Sequence, residues 1–364
     1  MKILHTCEHY APVVCGVQEA VQRISEGLAR RGHQVTVATT YHPARNFKEL
    51  NGVTIEQFNI AGKWIRGFVG EVSKFKEFIL SFDCDVMLNY AAFQWSTDLV
   101  LPLLKRLPFR KILLPCGYST LHNWKWKPYY WLLPKYLRRY EHIIYLSDRY
   151  QDKEFGDNHG ITHYSIIGNG ALDEEFLFPK SGFRKEFGIS TSSMFLCVSN
   201  YSPLKNQKMV LQAYSTADVT DSTLVFIGTE INDYAKQLIA KSQEQKLNTL
   251  FLDHLPREKE VAAYHEADLF LFGSKIECFP LVIVEAMASA TPFISTNVGC
   301  VNSLPGGVIV SSVEEMAQAM AKLAQKDDDW KKLSEAGRKA WEEKFRWKKI
   351  IDQYEALYMR VCSG

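Results

Sequence analysis

No window of this 364-residue sequence approaches the ~18 uninterrupted apolar residues of a membrane-crossing helix, so none is expected. The opening MKILHTCEHYAPVV holds only a short apolar stretch. It lacks the roughly 7–15-residue apolar core of a secretory leader. Cysteine pairs are missing too. Cys7, Cys15, Cys84, Cys116, Cys197, Cys278, Cys300 and Cys362 are scattered, with no Cys-x-x-Cys and no Cys/His cluster at zinc spacing. They read as reduced thiols of a cytosolic protein. Charge of one sign is scarce: the net charge of +2 gives no bulk affinity for nucleic acid. The first strand-to-helix turn lacks Gly-x-Gly-x-x-Gly, which argues against a nicotinamide-dependent dehydrogenase. What remains is an ordinary globular balance, 46% hydrophobic and 23% charged, over a length that suggests two domains.

The hydrophobic pattern alternates strand and helix. Lys2 to Thr6 opens a strand. Gln18 to Arg31 places Ala20, Val21, Ile24 and Leu28 at helical spacing, Gly32 stops the helix, and Val35 to Ala38 is the next strand. Strands are expected at Asp85–Asn89, Lys111–Pro115, Ile143–Ser147 and Tyr164–Ile167, with a helix over Thr97–Leu104. Gly168-Asn169-Gly170 marks a turn. The alternation then restarts, with strands at Met194–Ser199, Thr223–Gly228, Leu250–Leu252, Leu269–Phe272 and Phe293–Ser295. Helices are expected at Gln207–Ala217, Asp233–Glu244, Glu258–His265, Leu281–Ala288, Val313–Gln325, Asp328–Phe345 and Lys348–Val361. Two doubly wound α/β lobes in series are the architecture this pattern implies. Ligands of such sheets bind outside the carboxyl ends of the strands.

The most informative stretch is Ser274-Lys-Ile-Glu277-Cys-Phe279-Pro280-Leu281-Val282-Ile-Val-Glu285-Ala-Met. Pro280 is expected at the first helical position, where its missing N–H is no loss. The free amides of Leu281 and Val282 would then form a site for a diphosphate. Glu285, three to four residues on, shares their face and could accept both hydroxyls of a ribose. Glu277, before the turn, could reach hydroxyls beyond the phosphates. The plain alternative is a loop glutamate followed by a glutamate on a solvated helix face, but Glu285 is embedded in the apolar run Leu-Val-Ile-Val-Glu-Ala-Met-Ala. A lone charge there is usually paired or liganded.

This Glu-x7-Glu, within Ser-x-x-Glu-x-Phe-Pro-Leu-x-x-x-Glu-Ala-Met-Ala, resembles the donor-binding motif of the retaining glycosyltransferases of family 4. The resemblance covers almost the whole chain. It extends to His9-Tyr-Ala-Pro through Gly16-Val-Gln, to Leu28-Ala-Arg-Arg-Gly-His-Gln-Val-Thr-Val, to the Asn169-Gly170 junction, and to the ending Phe345-Arg-Trp-Lys-Lys-Ile-Ile. It implies an α/β GT-B fold: an acceptor lobe over 1–172 and a nucleotide-sugar lobe over 173–345, facing across a cleft, and a C-terminal helix over 346–364 that crosses back to the first lobe. It implies transfer of a sugar, with retention, from a UDP- or GDP-linked donor to a hydroxyl of a glycan or lipid-linked acceptor, with no cofactor and no metal. By the same resemblance Glu277 orients the sugar, Glu285 the ribose and Lys205 the diphosphate, with Phe279 in the same loop. A cytoplasmic location is implied as well, with the inner membrane face as a peripheral option. A nucleotide-sugar epimerase and a non-catalytic glycan-binding homologue are the competing readings.

The sequence departs from the family in three places. Where the family places an Arg and a Lys for the diphosphate, this chain has Asn200 and Lys205; asparagine donates a hydrogen bond but brings no charge. Where the family has Gly-Gly near the diphosphate, Cys15-Gly16 stands, and Gly16 keeps one close backbone approach. Cys116 occupies the place of a histidine near the reacting sugar. Tyr118 follows it, and His122, six residues on from Cys116, either replaces that histidine or is an ordinary surface residue. Asp83-Cys-Asp85 spells Asp-x-Asp, a metal-holding pattern elsewhere, but reads here as a turn leading into a strand. Finally, no acidic residue lies between Leu99 and Tyr140, while lysines and arginines interleave with Trp124, Trp126, Tyr129, Tyr130, Trp131 and Tyr136. Either a helix packs its aromatics and solvates its charges, or 105–139 forms an acceptor or membrane-surface patch.

Overall fold

The structure is a computed structural model that describes residues 1–364. The chain divides into two compact units, Met1–Gly168 with Lys348–Gly364, and Asn169–Trp347.

The first unit is built on β1 (Lys2–Thr6), β2 (Gln34–Thr40), β3 (Val53–Phe58), β4 (Val86–Tyr90), β5 (Arg110–Leu114), β6 (His142–Tyr145) and β7 (Tyr164–Ile166). They form a parallel sheet in the order β7-β6-β5-β4-β1-β2-β3, finished by a short antiparallel strand at Glu49–Leu50. Their near-continuous apolar runs suit strands covered on both faces: every residue of β4 is buried. Helix α1 (Gly16–Arg30) buries Ala20, Val21, Ile24 and Leu28. It begins two residues before the periodicity does, with Cys15 as its N-cap, because the Gln18 side chain accepts from the Cys15 amide. Helix α2 (Lys127–Leu137) covers part of the sheet with Tyr129, Tyr130, Leu133 and Leu137. The single helix expected over Thr97–Leu104 is broken into a turn at Trp95–Asp98 and a 3-10 segment at Leu101–Arg106. Pro102 supplies no amide to carry a helix through.

The last helix, α6 (Trp347–Ser363), belongs to this unit from Lys348 onward. Gly27 of α1 makes the contact close: a Cβ there would lie 2.7 Å from Ile351 Cγ1. Tyr358 reaches buried His5 of β1. Ser25 gives its own proton to the Val21 carbonyl (2.7 Å), so His5 Nδ1 donates to Ser25 Oγ (2.8 Å) and Nε2 accepts from the Tyr358 hydroxyl (3.1 Å). Burial lowers the His5 pKa to about 3, so the ring is neutral. Arg31 adds ion pairs to Asp352 and Glu355 at 2.5 Å each.

The second unit carries β8 (Ser193–Val198), β9 (Ser222–Gly228), β10 (Thr249–Asp253), β11 (Leu269–Phe272), β12 (Phe293–Thr296) and β13 (Gly307–Val310), all parallel, in the order β10-β9-β8-β11-β12-β13. Helix α3 (Gln207–Thr216) lies between β8 and β9 in the chain, α4 (Arg257–Glu266) between β10 and β11, and α5 (Leu281–Ala288) between β11 and β12. The helix expected over Asp328–Phe345 is α-helical to Ala340 and π-helical at Trp341–Phe345. There buried Trp341 donates its indole N–H to the Ala171 carbonyl at 3.2 Å. Gly170 lets Phe345 and Trp347 pass: a Cβ would sit 2.7 Å from the Phe345 oxygen.

Candidate functional site

In both sheets the strand order reverses once, between β1 and β4 and between β8 and β11. Loops leaving adjacent strands there turn to opposite faces and open a crevice at the strand ends. In the second unit those loops are 199–206, after β8, and 273–280, after β11. They hold the residues singled out by sequence.

Lys205 and Glu277, 72 residues apart in the chain, meet directly. Lys205 Nζ lies 2.6 Å from Glu277 Oε1, which also accepts from Ser274 Oγ at 2.8 Å. The Glu277 side chain is 13% exposed and Lys205 33%, so the carboxylate is held from below while the ammonium stays open. Several bonds lock the loops. The Lys275 amide donates to the Leu204 carbonyl (2.8 Å), and Asn206, left-handed at φ 55, donates from Nδ2 to the Gly273 carbonyl (3.1 Å). Thr296 Oγ1 donates to the Ser274 carbonyl at 2.5 Å. Gln207 donates to Ser199 Oγ (2.8 Å) and to the Asn200 carbonyl (3.0 Å), which leaves the Asn200 side chain exposed.

Gly299 supports the Glu277 loop from the next strand connection. Its φ is +55, and a Cβ would lie 2.5 Å from the Cys278 oxygen and 2.8 Å from the Glu277 oxygen. The neighbouring Cys300 amide donates to that Cys278 carbonyl at 3.2 Å. Asn169 donates to the Phe279 carbonyl at 3.4 Å, and the Phe279 ring packs 6.0 Å from that of Phe345.

Pro280 is not the first helical residue. It is the N-cap of α5, with φ −74 and ψ 116, because an extended ψ precedes the first turn. Leu281 and Val282 are therefore the first two helical residues, and the amides of a first turn have no acceptor within their own helix. Both are half-buried and share a face with Glu285. Glu285 is not alone on that face. Arg257, the first residue of α4, donates to Glu285 Oε1, to Glu175 Oε2 (2.7 Å) and to Glu260 Oε2 (3.3 Å). Burial opposes the charge of this guanidinium, yet Glu285 and Glu175 hold its pKa well above the usual value. Burial and the neighbouring carboxylates of Glu285 and Glu175 push the Glu260 carboxyl up, against Arg257.

In the first unit Gly16 is the first residue of α1, after Cys15. Cys116 follows β5 in a left-handed conformation, φ 58, with the Gly117 amide donating to Asp152 Oδ2 at 2.8 Å. Burial, and then the Asp152 charge, holds the Cys116 thiol far above its ordinary pKa, so it is a neutral thiol. Burial also raises Asp152 to about 6. Tyr118 is fully buried, edge-on to Phe93, Tyr130 and Phe155. His122 is exposed on the loop beyond. Asp83 and Asp85 face Lys2, through its ammonium (2.5 Å) and its amide (2.7 Å), and so lace the start of β4 to β1.

Sequence reading missed Ser274, Asn206, Gly299 and Arg257. It also missed Asp98, buried after β4, whose Oδ1 accepts from the Tyr129 hydroxyl at 2.7 Å. Burial raises its carboxyl to about 7. Serine three residues before Glu277 was in plain view within the motif; the others carry no local signal.

Known proteins resemble this chain in both units. The family model "Glycosyltransferase Family 4" matches residues 14–171, and "Glycosyl transferases group 1" matches residues 180–340. The N-acetyl-alpha-D-glucosaminyl L-malate synthase of Bacillus anthracis is 29% identical over 200 residues, 52% of either protein. The match to a probable sucrose-phosphate synthase of Thermosipho melanesiensis is 32% identical and covers 43% of this chain and 38% of that protein. The chain thus spans about half the length, or less, of these curated relatives. An uncharacterized glycosyltransferase of Methanocaldococcus jannaschii is 25% identical over 82% of this chain and 81% of its own. Among solved structures, sucrose-phosphate synthase from Thermosynechococcus elongatus superposes with a TM-score of 0.82 at 17% identity, over 100% of this chain and 99% of that one. Anabaena HepE in complex with UDP and glucose gives 0.80 at 17% identity, over 99% and 100%.

Proposed function

Because the chain belongs to glycosyltransferase family 4, with the GT-B fold, we propose that it moves a sugar from a nucleoside diphosphate sugar to a hydroxyl of a glycan or lipid-linked acceptor. The observation that carries this reading is the Lys205–Glu277 pair, seated at the point where the second sheet reverses and just before the helix start of Leu281 and Val282. A cation and unpaired amides suit a diphosphate. A carboxylate fixed by Ser274 suits the hydroxyls of the attached sugar. Glu285, steadied by Arg257, receives the ribose hydroxyls. HepE, which shares the fold, was solved in complex with UDP and glucose.

The reaction breaks the bond from the sugar C1 to the diphosphate oxygen and forms one from C1 to the acceptor oxygen on the same face. The acceptor proton passes to the departing phosphate oxygen. Lys205 and the α5 amides meet the charge growing on that phosphate, with no metal required. Lys205 is released from Glu277 toward the phosphate as the donor binds, and Glu277 turns to the sugar.

The test is thermal denaturation against a panel of UDP-, GDP- and ADP-sugars in the presence of EDTA. A ligand at ~100 times its dissociation constant adds about 2.7 kcal/mol. Stabilisation by one donor, lost in Glu285→Ala, supports the reading. Stabilisation by none contradicts it.

A further inference from the structure

The acid-free segment folds into two different faces. Trp126, Tyr129, Tyr130, Leu133 and Leu137 go inward. The outward ridge of α2 reads Lys127, Trp131, Lys135, at spacings of four, which place all three on one side of the helix, and Trp124 stands in the 3-10 turn Trp124–Trp126 that leads into it. Trp124 is 71% exposed and Trp131 81%. Lys125 is exposed beside them, its ammonium 5.9 Å from the Trp124 ring.

A second element packs against α2. The hairpin Ile60–Lys63/Gly67–Gly70 carries Trp64, whose ring meets that of Tyr129 edge-on at 5.6 Å. Between hairpin and helix lies an apolar crevice lined by Trp64, Leu101, Tyr129, Leu132, Leu133 and Tyr136. The hairpin presents Ile65 and Val69 to solvent, at 40% and 66%, flanked by exposed Lys63 and Arg66.

Exposed tryptophans and aliphatics set among lysines, with no carboxylate from Leu99 to Tyr140 to offset them, match the two layers of an anionic bilayer surface. Indole rings settle at headgroup depth, aliphatic side chains enter the acyl boundary, and cations meet lipid phosphates. An acidic partner alone would explain the lysines but would leave Trp131, Ile65 and Val69 in water. We propose that the α2 ridge and the 60–70 hairpin form one peripheral docking surface for membranes rich in anionic lipid. No helix of the structure is long and apolar enough to cross a membrane, so this contact is interfacial. It is independent of the donor site of the other unit.

The experiment is co-sedimentation of the full chain with vesicles of phosphatidylcholine alone or mixed with phosphatidylglycerol, across a salt series, with tryptophan emission recorded. Binding is expected only with phosphatidylglycerol, weakening with salt and shifting the emission to the blue. Lys127→Glu with Lys135→Glu is expected to weaken binding at least about 25-fold, from roughly fivefold per cation. Trp124→Ser with Trp131→Ser is expected to abolish the blue shift and most of the binding. All four side chains are exposed, so both variants keep the wild-type melting temperature, which separates lost docking from lost folding. Absence of binding to phosphatidylglycerol vesicles, wild-type binding by either variant, or capture by a soluble acidic polysaccharide but not by vesicles would each overturn the proposal.

Discussion

Gly299→Ala is the change that isolates the geometry of the Glu277 loop without touching any group that contacts substrate. The new methyl would stand 2.5 Å from the Cys278 oxygen and 2.8 Å from the Glu277 oxygen, both backbone atoms that no rotamer change can move aside. Restoring ordinary contact needs a displacement of about 0.9 Å. The residue also holds φ +55, which costs an alanine roughly 1–2 kcal/mol. Relief through the backbone carries Glu277 and Cys278 with it, because the Cys300 amide binds the Cys278 carbonyl from the same side. Stability is expected to fall by about 2 kcal/mol, which shows as a lower melting temperature with the fold retained. Activity is expected to fall further, on the order of 100-fold, since a misplacement near 1 Å costs about that much. The loss should fall mainly on kcat, because the α5 amides and Glu285 still bind the nucleotide. Donor turnover and thermal denaturation, run on the same preparation, separate the two effects. Turnover within threefold of wild type at a temperature where the variant is folded would refute the claim that this loop positions the reacting sugar.

Two further outcomes rest on single groups. Lys205→Ala removes one charge-assisted bond to the diphosphate, worth about 1.5–3 kcal/mol, so donor affinity should drop between about 10- and 150-fold by calorimetry. Stability should change by no more than about 1 kcal/mol, because the Lys205–Glu277 pair is partly exposed; unchanged donor affinity would remove Lys205 from the site. Asp98 makes a pH prediction. Unfolded, its carboxyl ionises from 3.8, whereas folded it keeps its proton to about 7. Between these values the unfolded chain binds fewer protons, so this group lowers stability as pH rises. Asp98→Asn should therefore gain on wild type from pH 4 to pH 7, by up to about 4 kcal/mol, in paired denaturant titrations; a flat difference would show that Asp98 ionises normally.

Much of this architecture could be read from the chain because parallel strands buried on both faces are continuous apolar runs. Leu269–Phe272, Asp233–Glu244 and Leu281–Ala288 stand in the structure at the bounds that periodicity assigned. Helix α2 was legible only as one of two readings of its segment and without bounds, because Pro128 and Pro134 lie within it, although Pro128 falls in the first turn, where no amide is needed. Strand β13, Gly307–Val310, is too short and glycine-flanked to stand out. The carboxylates of the site were visible as Glu-x7-Glu, and Ser274 could have been added from the motif itself. The contact of Lys205 with Glu277 was not visible, because it depends on β8 and β11 being neighbours, a product of strand order rather than spacing. Arg257 was hidden for the same reason. Its helix, Arg-Glu-Lys-Glu-Val-Ala-Ala-Tyr-His-Glu, looks like any charged surface helix until Glu175 and Glu285 close around it. The packing of Tyr118 was hidden as well: nothing local to Cys116-Gly-Tyr announces that its ring lies in the aromatic core beside Phe93.

The most direct test of sugar transfer at this site uses water as the acceptor. The purified chain is incubated in EDTA with the donor that stabilises it, and the released sugar is followed by NMR from the first minutes, for wild type and for Glu277→Gln. Slow release of the nucleoside diphosphate with a free sugar of the donor's own anomeric configuration, lost in Glu277→Gln, is the predicted result. Release of the opposite anomer, dependence on added metal, or equal rates in the two proteins would contradict it.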